Sequence, residues 1–164
     1  MTTNNKQHIF ITGAAGCIGH YIVEQLHHDY PEYQLHLLIR TPSKLHSKFH
    51  QKENIIIHEG SLENLNEFNE ILENTDYLIH IATSWLGSGG TQRVNIDQTK
   101  ALFHAANTTK LKKIIYFSTA SILGPENKAI KEAHLHGSAY VKSKYNMHQQ
   151  LPTLPMNDKI VTVF

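Results

Sequence analysis

Short runs of apolar residues recur along the chain, and stretches with helical spacing or polar character separate them. A run such as Leu35–Ile39, which is apolar at nearly every position, is typical of a strand buried on both faces of a sheet. The pattern predicts six strands. They are 8–12, 35–39, 54–57, 76–82, 113–118 and 159–164.

The stretches between these runs carry apolar residues at helical spacing. Ile18, Ile22 and Leu26 predict a first helix, which must end before Pro31 because proline cannot continue it. Ser61 is placed to cap a helix whose apolar face is Leu62, Leu65, Phe68 and Leu72. Further helices are expected on a face formed by Val94, Ala101, Leu102 and Ala105, and over 138–151. The segments 84–90 and 124–137 are typical of loops.

Strands that alternate with helices along the whole chain indicate an α/β fold with helices on both faces of a parallel sheet. We expect a doubly wound Rossmann fold with strand order 3-2-1-4-5-6, in which a ligand binds where the order reverses. A length of 164 residues suits one domain, 1–164, whose last predicted element is strand six.

Three glycines spaced three apart follow strand one directly, at Gly13, Gly16 and Gly19. In a strand–turn–helix unit, the first lets the chain turn and the second lets backbone amides approach a pyrophosphate. The third lets the helix pack close to the strand. A glycine turn also occurs in α/β proteins that bind no nucleotide, but the strand before it and the helix after it favour dinucleotide binding.

The composition limits the kinds of binding partner that we expect. The formal net charge of +1 gives no electrostatic reason to expect nucleic acid or an anionic membrane. Cys17 is the only cysteine, and no apolar run reaches membrane-spanning length, so a cytoplasmic protein is expected. The thirteen histidines are scattered without metal-ligand spacing. We therefore expect solvated surface histidines and no metal.

Tyr140 and Lys144 stand four residues apart, which places them on one face of a helix. A neighbouring ammonium and the positive charge of an oxidised nicotinamide both favour the phenolate, and together they would lower the tyrosine pKa toward the range useful for general acid/base catalysis. Thr119, with Ser118, follows strand five, and a hydroxyl there can hydrogen-bond a substrate oxygen. The alternative is two exposed side chains on a surface helix beside an ordinary serine/threonine turn.

Taken together, these motifs resemble the extended branch of the short-chain dehydrogenase/reductase superfamily, the NAD-dependent epimerase/dehydratase family. The matching segments, in the family's order across essentially the whole chain, are Thr12-Gly13-x-x-Gly16-x-x-Gly19, His80-Ile81-Ala82, Val94-Asn95, Ser118-Thr119 with Gly124, and Tyr140-x-x-x-Lys144. The resemblance implies that Thr119, Tyr140 and Lys144 are catalytic, with Lys144 also holding the nicotinamide ribose.

The residues expected to contact the cofactor come from the motifs and from this resemblance. They are Gly13, Ala15, Gly16, Cys17, Ile18, Gly19, Arg40, Ser61, Leu62, Ile81, Ala82, Thr83, Asn95, Tyr140 and Lys144. Arg40 stands about 20 residues past the glycines, where an acid would bind the ribose hydroxyl of NAD. A guanidinium suits the 2′-phosphate of NADP, so NADP is favoured and NAD is the alternative. The stretch 38–44 also resembles dihydroflavonol-reductase-like members, which reduce carbonyls with NADPH.

The chain departs from the family at several positions. Ser61 replaces an aspartate expected near adenine, Leu123 replaces a tyrosine, and Gln98-Thr99 replaces a glycine-threonine pair. Family members continue past strand six into a C-terminal substrate domain, which we expect to be missing here.

Two functions follow: an oxidoreductase, epimerase or dehydratase acting on a sugar-nucleotide or small carbonyl/alcohol substrate, or a truncated non-catalytic dinucleotide-binding module. A methyltransferase-like nucleoside binder gives no reason for Tyr140 and Lys144. The family resemblance also suggests a homodimer.

Overall fold

The computed structural model describes residues 6–85 and 87–164. Its six strands form one parallel sheet in the order β3-β2-β1-β4-β5-β6, as predicted. The strands are β1 His8–Thr12, β2 Gln34–Ile39, β3 Ile55–Glu59, β4 Tyr77–His80, β5 Lys113–Phe117 and β6 Ile160–Val163. The order reverses between β1 and β4, so the carboxyl ends of these two strands border the crevice where a ligand is expected.

Within the described residues, six α-helices connect or flank the strands. They are α1 Cys17–Asp29, α2 Asn69–Glu73, α3 Gly87–Gln92, α4 Thr99–Ala106, α5 Lys131–His136 and α6 Ala139–Gln150. A π-helical turn, Arg93–Gln98, joins α3 to α4 in one continuous helical stretch, and a 3₁₀ segment, Leu62–Phe68, precedes α2. Ser138 caps α6 because its hydroxyl accepts the N–H of Val141.

Each face of the sheet has its own apolar core, because successive strand residues point to opposite faces. On one face, Phe10 and Leu78 pack with Leu102 and Phe103 of α4 and Met147 of α6. On the other, apolar side chains of β1, β2 and β4 pack with Val23 of α1, and Leu45 and Phe49 close that core. The chain is therefore a three-layer sandwich, and within the described ranges no helix is long and apolar enough to cross a membrane.

The apolar face predicted for α1 is partly wrong. Gly19 and Val23 are its buried residues, whereas Ile18 is 53% exposed. The first turn of α1 lies at the carboxyl end of β1, beside the crevice rather than against the sheet, and helical spacing alone cannot separate these two surroundings. In α4, Ala101 is likewise exposed, while Leu102 and Phe103 are buried.

Two segments predicted as loops contain helices. α3 begins at Gly87 despite its glycines, and α5 forms within 124–137. Within α3, the hydroxyl of Thr91 lies 2.8 Å from the carbonyl oxygen of Gly87 and 3.0 Å from that of Ser88, and its one hydrogen is shared between them. Leu86, within the predicted loop 84–90, lies outside the described residues.

The expectation of solvated surface histidines is wrong for the histidines on the sheet. His8, His36 and His58 lie on three adjacent strands and form a hydrogen-bonded chain, with ring nitrogens 2.8 and 3.0 Å apart. Burial and the two neighbouring rings lower the pKa of His36 to about 4. The three positions are far apart in sequence, and only the register of the parallel strands brings them together.

Candidate functional site

The glycine turn after β1 has the geometry that a dinucleotide site needs. Gly13 has a left-handed φ of +79°, and a Cβ there would lie 2.6 Å from the backbone nitrogen of Ala82. At Gly19, a Cβ would overlap the carbonyl oxygen of Gly13 and lie 2.7 Å from the Cα of Ala14. The turn predicted at Gly13 and the close packing predicted at Gly19 are therefore present.

Gly16 differs from the other two glycines because a Cβ there would make one tight contact and no overlap. A Cβ at Gly16 would meet only the carbonyl oxygen of Gly13, at 3.3 Å. Gly16 has no side chain to cap α1, and the exposed first-turn residues, Cys17 and Ile18, are not acidic. The first backbone N–H groups of a helix lack intrahelical partners and attract anions. This end of α1 fits a pyrophosphate, although the cofactor roles of Ala15, Gly16, Cys17 and Ile18 stay predictions.

The segment after β4 is held by the side chain of Asn95, which lies buried in the π-helical turn. Its Oδ1 accepts from the hydroxyl of Thr83 (2.9 Å) and the N–H of Ser84 (2.7 Å). Its Nδ2 donates to the Ser84 carbonyl and to the Ser143 hydroxyl, both at 2.9 Å. Asn95, expected near the nicotinamide, therefore joins the loop after β4, at Thr83 and Ser84, to α6.

His80, at the end of β4, lies fully buried beneath this segment. Its Nε2 is 2.9 Å from the Thr99 hydroxyl and its Nδ1 is 2.7 Å from the Thr12 hydroxyl. Because Thr99 donates its own hydrogen to the Val94 carbonyl, His80 carries its proton on Nε2 and accepts from Thr12. Burial lowers the pKa of His80 to about 3, so the ring is neutral and ties β1, β4 and α4 together.

Tyr140 lies in the first turn of α6 and meets the end of β5. Thr119, which follows β5, lies close enough to the phenol of Tyr140 to act on its pKa, and Tyr140 is only 9% exposed. Thr119 also accepts the N–H of Ser121 and so caps the turn after β5. The two hydroxyls predicted to act together are therefore neighbours, which is the arrangement that proton transfer to a substrate oxygen requires.

The expected lowering of the Tyr140 pKa by Lys144 is not what the structure shows. Burial raises the pKa of Tyr140, more than the neighbouring Thr119 side chain lowers it. Lys144 points elsewhere: its Nζ donates to the Phe117 carbonyl at 2.9 Å and lies 6.0 Å from the centre of the Tyr140 ring. In the protein alone, the phenol is thus neutral near pH 7.

Lys144 itself is almost completely buried, with 1% of its surface exposed. Its ammonium also approaches the hydroxyl of Tyr116, at 3.4 Å, and the face of that ring. Because burial disfavours the charged form, the pKa of Lys144 falls to about 8. A buried lysine with few compensating partners is a costly feature in a fold, and such groups concentrate at functional sites.

Trp85 is a site residue that the sequence patterns did not identify. Its indole stacks on the phenol of Tyr140, with ring centroids 3.6 Å apart and planes at 20°. It is 68% exposed and follows the segment that Asn95 anchors. The only available signal was a tryptophan next to a glycine-rich stretch at the end of β4.

At the other end of the crevice, Arg40 follows β2 and is exposed. It takes part in none of the ion pairs formed within residues 6–85 and 87–164. Ser61 accepts the N–H of Glu63, which confirms its predicted capping role. Leu62 packs its side chain into the core, so only its backbone is available to a cofactor.

A family model described as the NAD dependent epimerase/dehydratase family matches residues 9–155. The Bordetella bronchiseptica enzyme WbmG, solved in complex with NAD, superposes with a TM-score of 0.74 at 17% identity, over 96% of this chain and 52% of that one. The UDP-glucuronic acid 4-epimerase of Bacillus cereus, also in complex with NAD, gives 0.78 at 20% identity, over 95% and 55%. At these identities the likeness shows the fold.

Among curated proteins, Quinone oxidoreductase 2 of Escherichia coli (strain K12) is 28% identical over 110 residues, which is 67% of this chain and 36% of that protein. The chain therefore spans about half the length of the solved structures it resembles and about a third of this relative.

Proposed function

The chain belongs to the NAD dependent epimerase/dehydratase family, and from that premise we propose that it is an NADP-preferring oxidoreductase of the extended short-chain type. Its substrate is a sugar-nucleotide or a small carbonyl or alcohol compound, and the reaction moves a hydride to or from a carbon that bears oxygen. The observation that carries the proposal is the closeness of the Thr119 and Tyr140 side chains, with the buried Lys144 one turn further along α6.

In this mechanism the nicotinamide cofactor, when bound, supplies or accepts the hydride. Tyr140 donates its phenolic proton to the substrate oxygen, and Thr119 hydrogen-bonds the same oxygen. Because burial raises the pKa of Tyr140, the phenol carries its proton near neutral pH and is ready to act as an acid in carbonyl reduction. Lys144 would hold the nicotinamide ribose from within the same helix.

The binding half of the proposal rests on the glycine turn and on Arg40. The first-turn amides of α1, next to Gly16, would hold the pyrophosphate. Arg40, exposed at the carboxyl end of β2, would take the 2′-phosphate through bidentate hydrogen bonds. The solved relatives named above are described as complexes with NAD. The proposed preference for NADP would therefore distinguish this chain from them.

Family resemblance suggests a homodimer, whose interface the two helices that carry Asn95 and Tyr140 would form. The formal net charge of +1 gives no reason to expect a nucleic acid or membrane partner. A second candidate function is a dinucleotide-binding module without turnover. The glycine turn and the exposed Arg40 support nucleotide binding in this function as well.

Tyr140→Phe tests the chemistry. We expect NADPH-dependent reduction of a carbonyl panel to fall by at least about 100-fold, while the NADPH dissociation constant stays within about twofold. Retained turnover in this variant would contradict the role of Tyr140. To separate the two functions, the same panel is run with a longer version carrying a C-terminal substrate domain: turnover only there would favour the binding-module function for this chain.

A further inference from the structure

We propose that Trp85 is a specificity-determining residue, whose indole forms one wall of the substrate site and selects flat, conjugated carbonyl compounds over bulky saturated ones. The inference rests on the proposed function, because it takes the Tyr140 hydroxyl as the point that the substrate oxygen reaches.

The position of the indole is not explained by the packing of the fold. Trp85 belongs to neither apolar core, and 68% of its side chain is exposed. With one face covered by the phenol of Tyr140, the remaining indole surface faces solvent at the candidate site. A large aromatic ring left exposed in this way contributes little to folding and is well suited to contact a ligand.

The backbone that carries the indole is anchored. Ser84, the preceding residue, is held at both its N–H and its carbonyl by the amide of Asn95, at 2.7 and 2.9 Å. Asn95 is in turn bonded to Ser143 of α6, the helix that carries Tyr140. The indole and the phenol are therefore positioned by one connected set of hydrogen bonds, so the stack is built into the site.

The stack restricts the approach to the reacting oxygen. The rings lie 3.6 Å apart and nearly parallel, so the indole closes the side of the phenol that it covers. A ligand whose oxygen sits between the hydroxyls of Tyr140 and Thr119 must extend beside the indole. A flat carbonyl compound fits such a wall and gains stacking or edge contacts, whereas tetrahedral ring carbons project hydrogens into it.

A matched pair of ketones tests this directly, because acetophenone and cyclohexyl methyl ketone share a carbon skeleton and differ in ring planarity. Binding is followed in ¹H–¹⁵N spectra, through the indole N–H of Trp85, which is the only tryptophan, and the Thr119 amide. We expect the wild-type protein to bind acetophenone about fivefold more tightly than the saturated ketone, the size of a single aromatic contact.

Trp85→Ala, followed at the Thr119 amide, should bring the affinity ratio close to one, and Trp85→Phe should keep most of it. Tyr21→Ala is the control, since it removes an aromatic ring that is 72% exposed on α1, and it should leave the ratio unchanged. Equal affinities in the wild type, an unchanged ratio in Trp85→Ala, or no ketone-dependent shift of the indole resonance would overturn the inference.

NADPH binding is measured on the same samples through the fluorescence of the nucleotide. Loss of NADPH binding in the wild type would count against the proposed function, whereas NADPH binding without ketone discrimination would count against Trp85 alone.

Discussion

The ammonium of Lys144 donates to the backbone carbonyl of Phe117 at 2.9 Å, and so a buried charge ties α6 to the end of β5. This contact places Tyr140, one turn earlier on α6, next to the hydroxyl that follows β5. The same lysine thus contributes to the geometry of the site while its burial costs the fold free energy.

The buried lysine predicts an unusual alkaline pH dependence. Folding lowers the pKa of Lys144 from 10.5 to about 8, so between these values the unfolded chain binds more protons and stability rises with pH. From pH 7.5 to 9.5 the free energy of unfolding should gain about 2 kcal/mol from this group. Urea unfolding at the two pH values measures it.

Lys144→Met should lose this rise, and Lys131→Met, at an exposed position on α5, should keep it. An identical rise in the wild type and in Lys144→Met would show that the buried ammonium is not its source.

The histidine chain predicts a pH dependence of the same sign in the acid range, where stability falls as the pH falls. Each of its two bonds needs one protonated and one bare ring nitrogen, and the folded pKa of His36 is lowered to about 4. This contribution to stability is therefore complete above pH 6.5 and is lost as the pH falls. Between pH 7 and 4.5 it amounts to about 2 kcal/mol.

His36→Gln should reduce the acid dependence of the unfolding free energy, whereas His136→Gln, at an exposed position, should not. If the two variants lose stability in acid as steeply as the wild type, the histidine chain does not control acid stability.

Substitutions at two glycines of the turn should affect the free energy of unfolding and the nucleotide affinity differently. Gly16→Ala should change the free energy of unfolding by about 1 kcal/mol or less, because the one contact of its Cβ, 3.3 Å from the Gly13 carbonyl oxygen, is relieved by a small shift and the backbone φ is −83°. Gly19→Ala should cost about 2 kcal/mol or more through overpacking against Gly13 and Ala14.

NADPH affinity should nevertheless fall by about tenfold or more in Gly16→Ala, because the new methyl group lies where the pyrophosphate approaches the backbone. Chemical unfolding and nucleotide titration of the two variants check both statements. Unchanged NADPH affinity in Gly16→Ala would show that the pyrophosphate does not bind at this turn.

Much of the fold could be predicted because each strand is a continuous apolar run and each strand pairs in parallel with a neighbour fixed by topology. The glycine turn and the Tyr140–Lys144 pair could be found since their spacing is local. The exposure of Ile18 could not, because helical periodicity does not distinguish a core face from a crevice face. The histidine chain, the stack of Trp85 on Tyr140 and the direction of Lys144 depend on contacts between distant elements, which spacing does not encode.

Nucleotide binding is the most direct test of the proposed NADP site. Titration of the wild-type protein with NADPH and with NADH, followed by nucleotide fluorescence, should give binding of both, with NADPH tighter by about tenfold or more. Arg40→Ala should abolish the preference without abolishing NADH binding. Equal or tighter binding of NADH would contradict the NADP assignment, and no binding of either nucleotide at millimolar concentration would contradict the site itself.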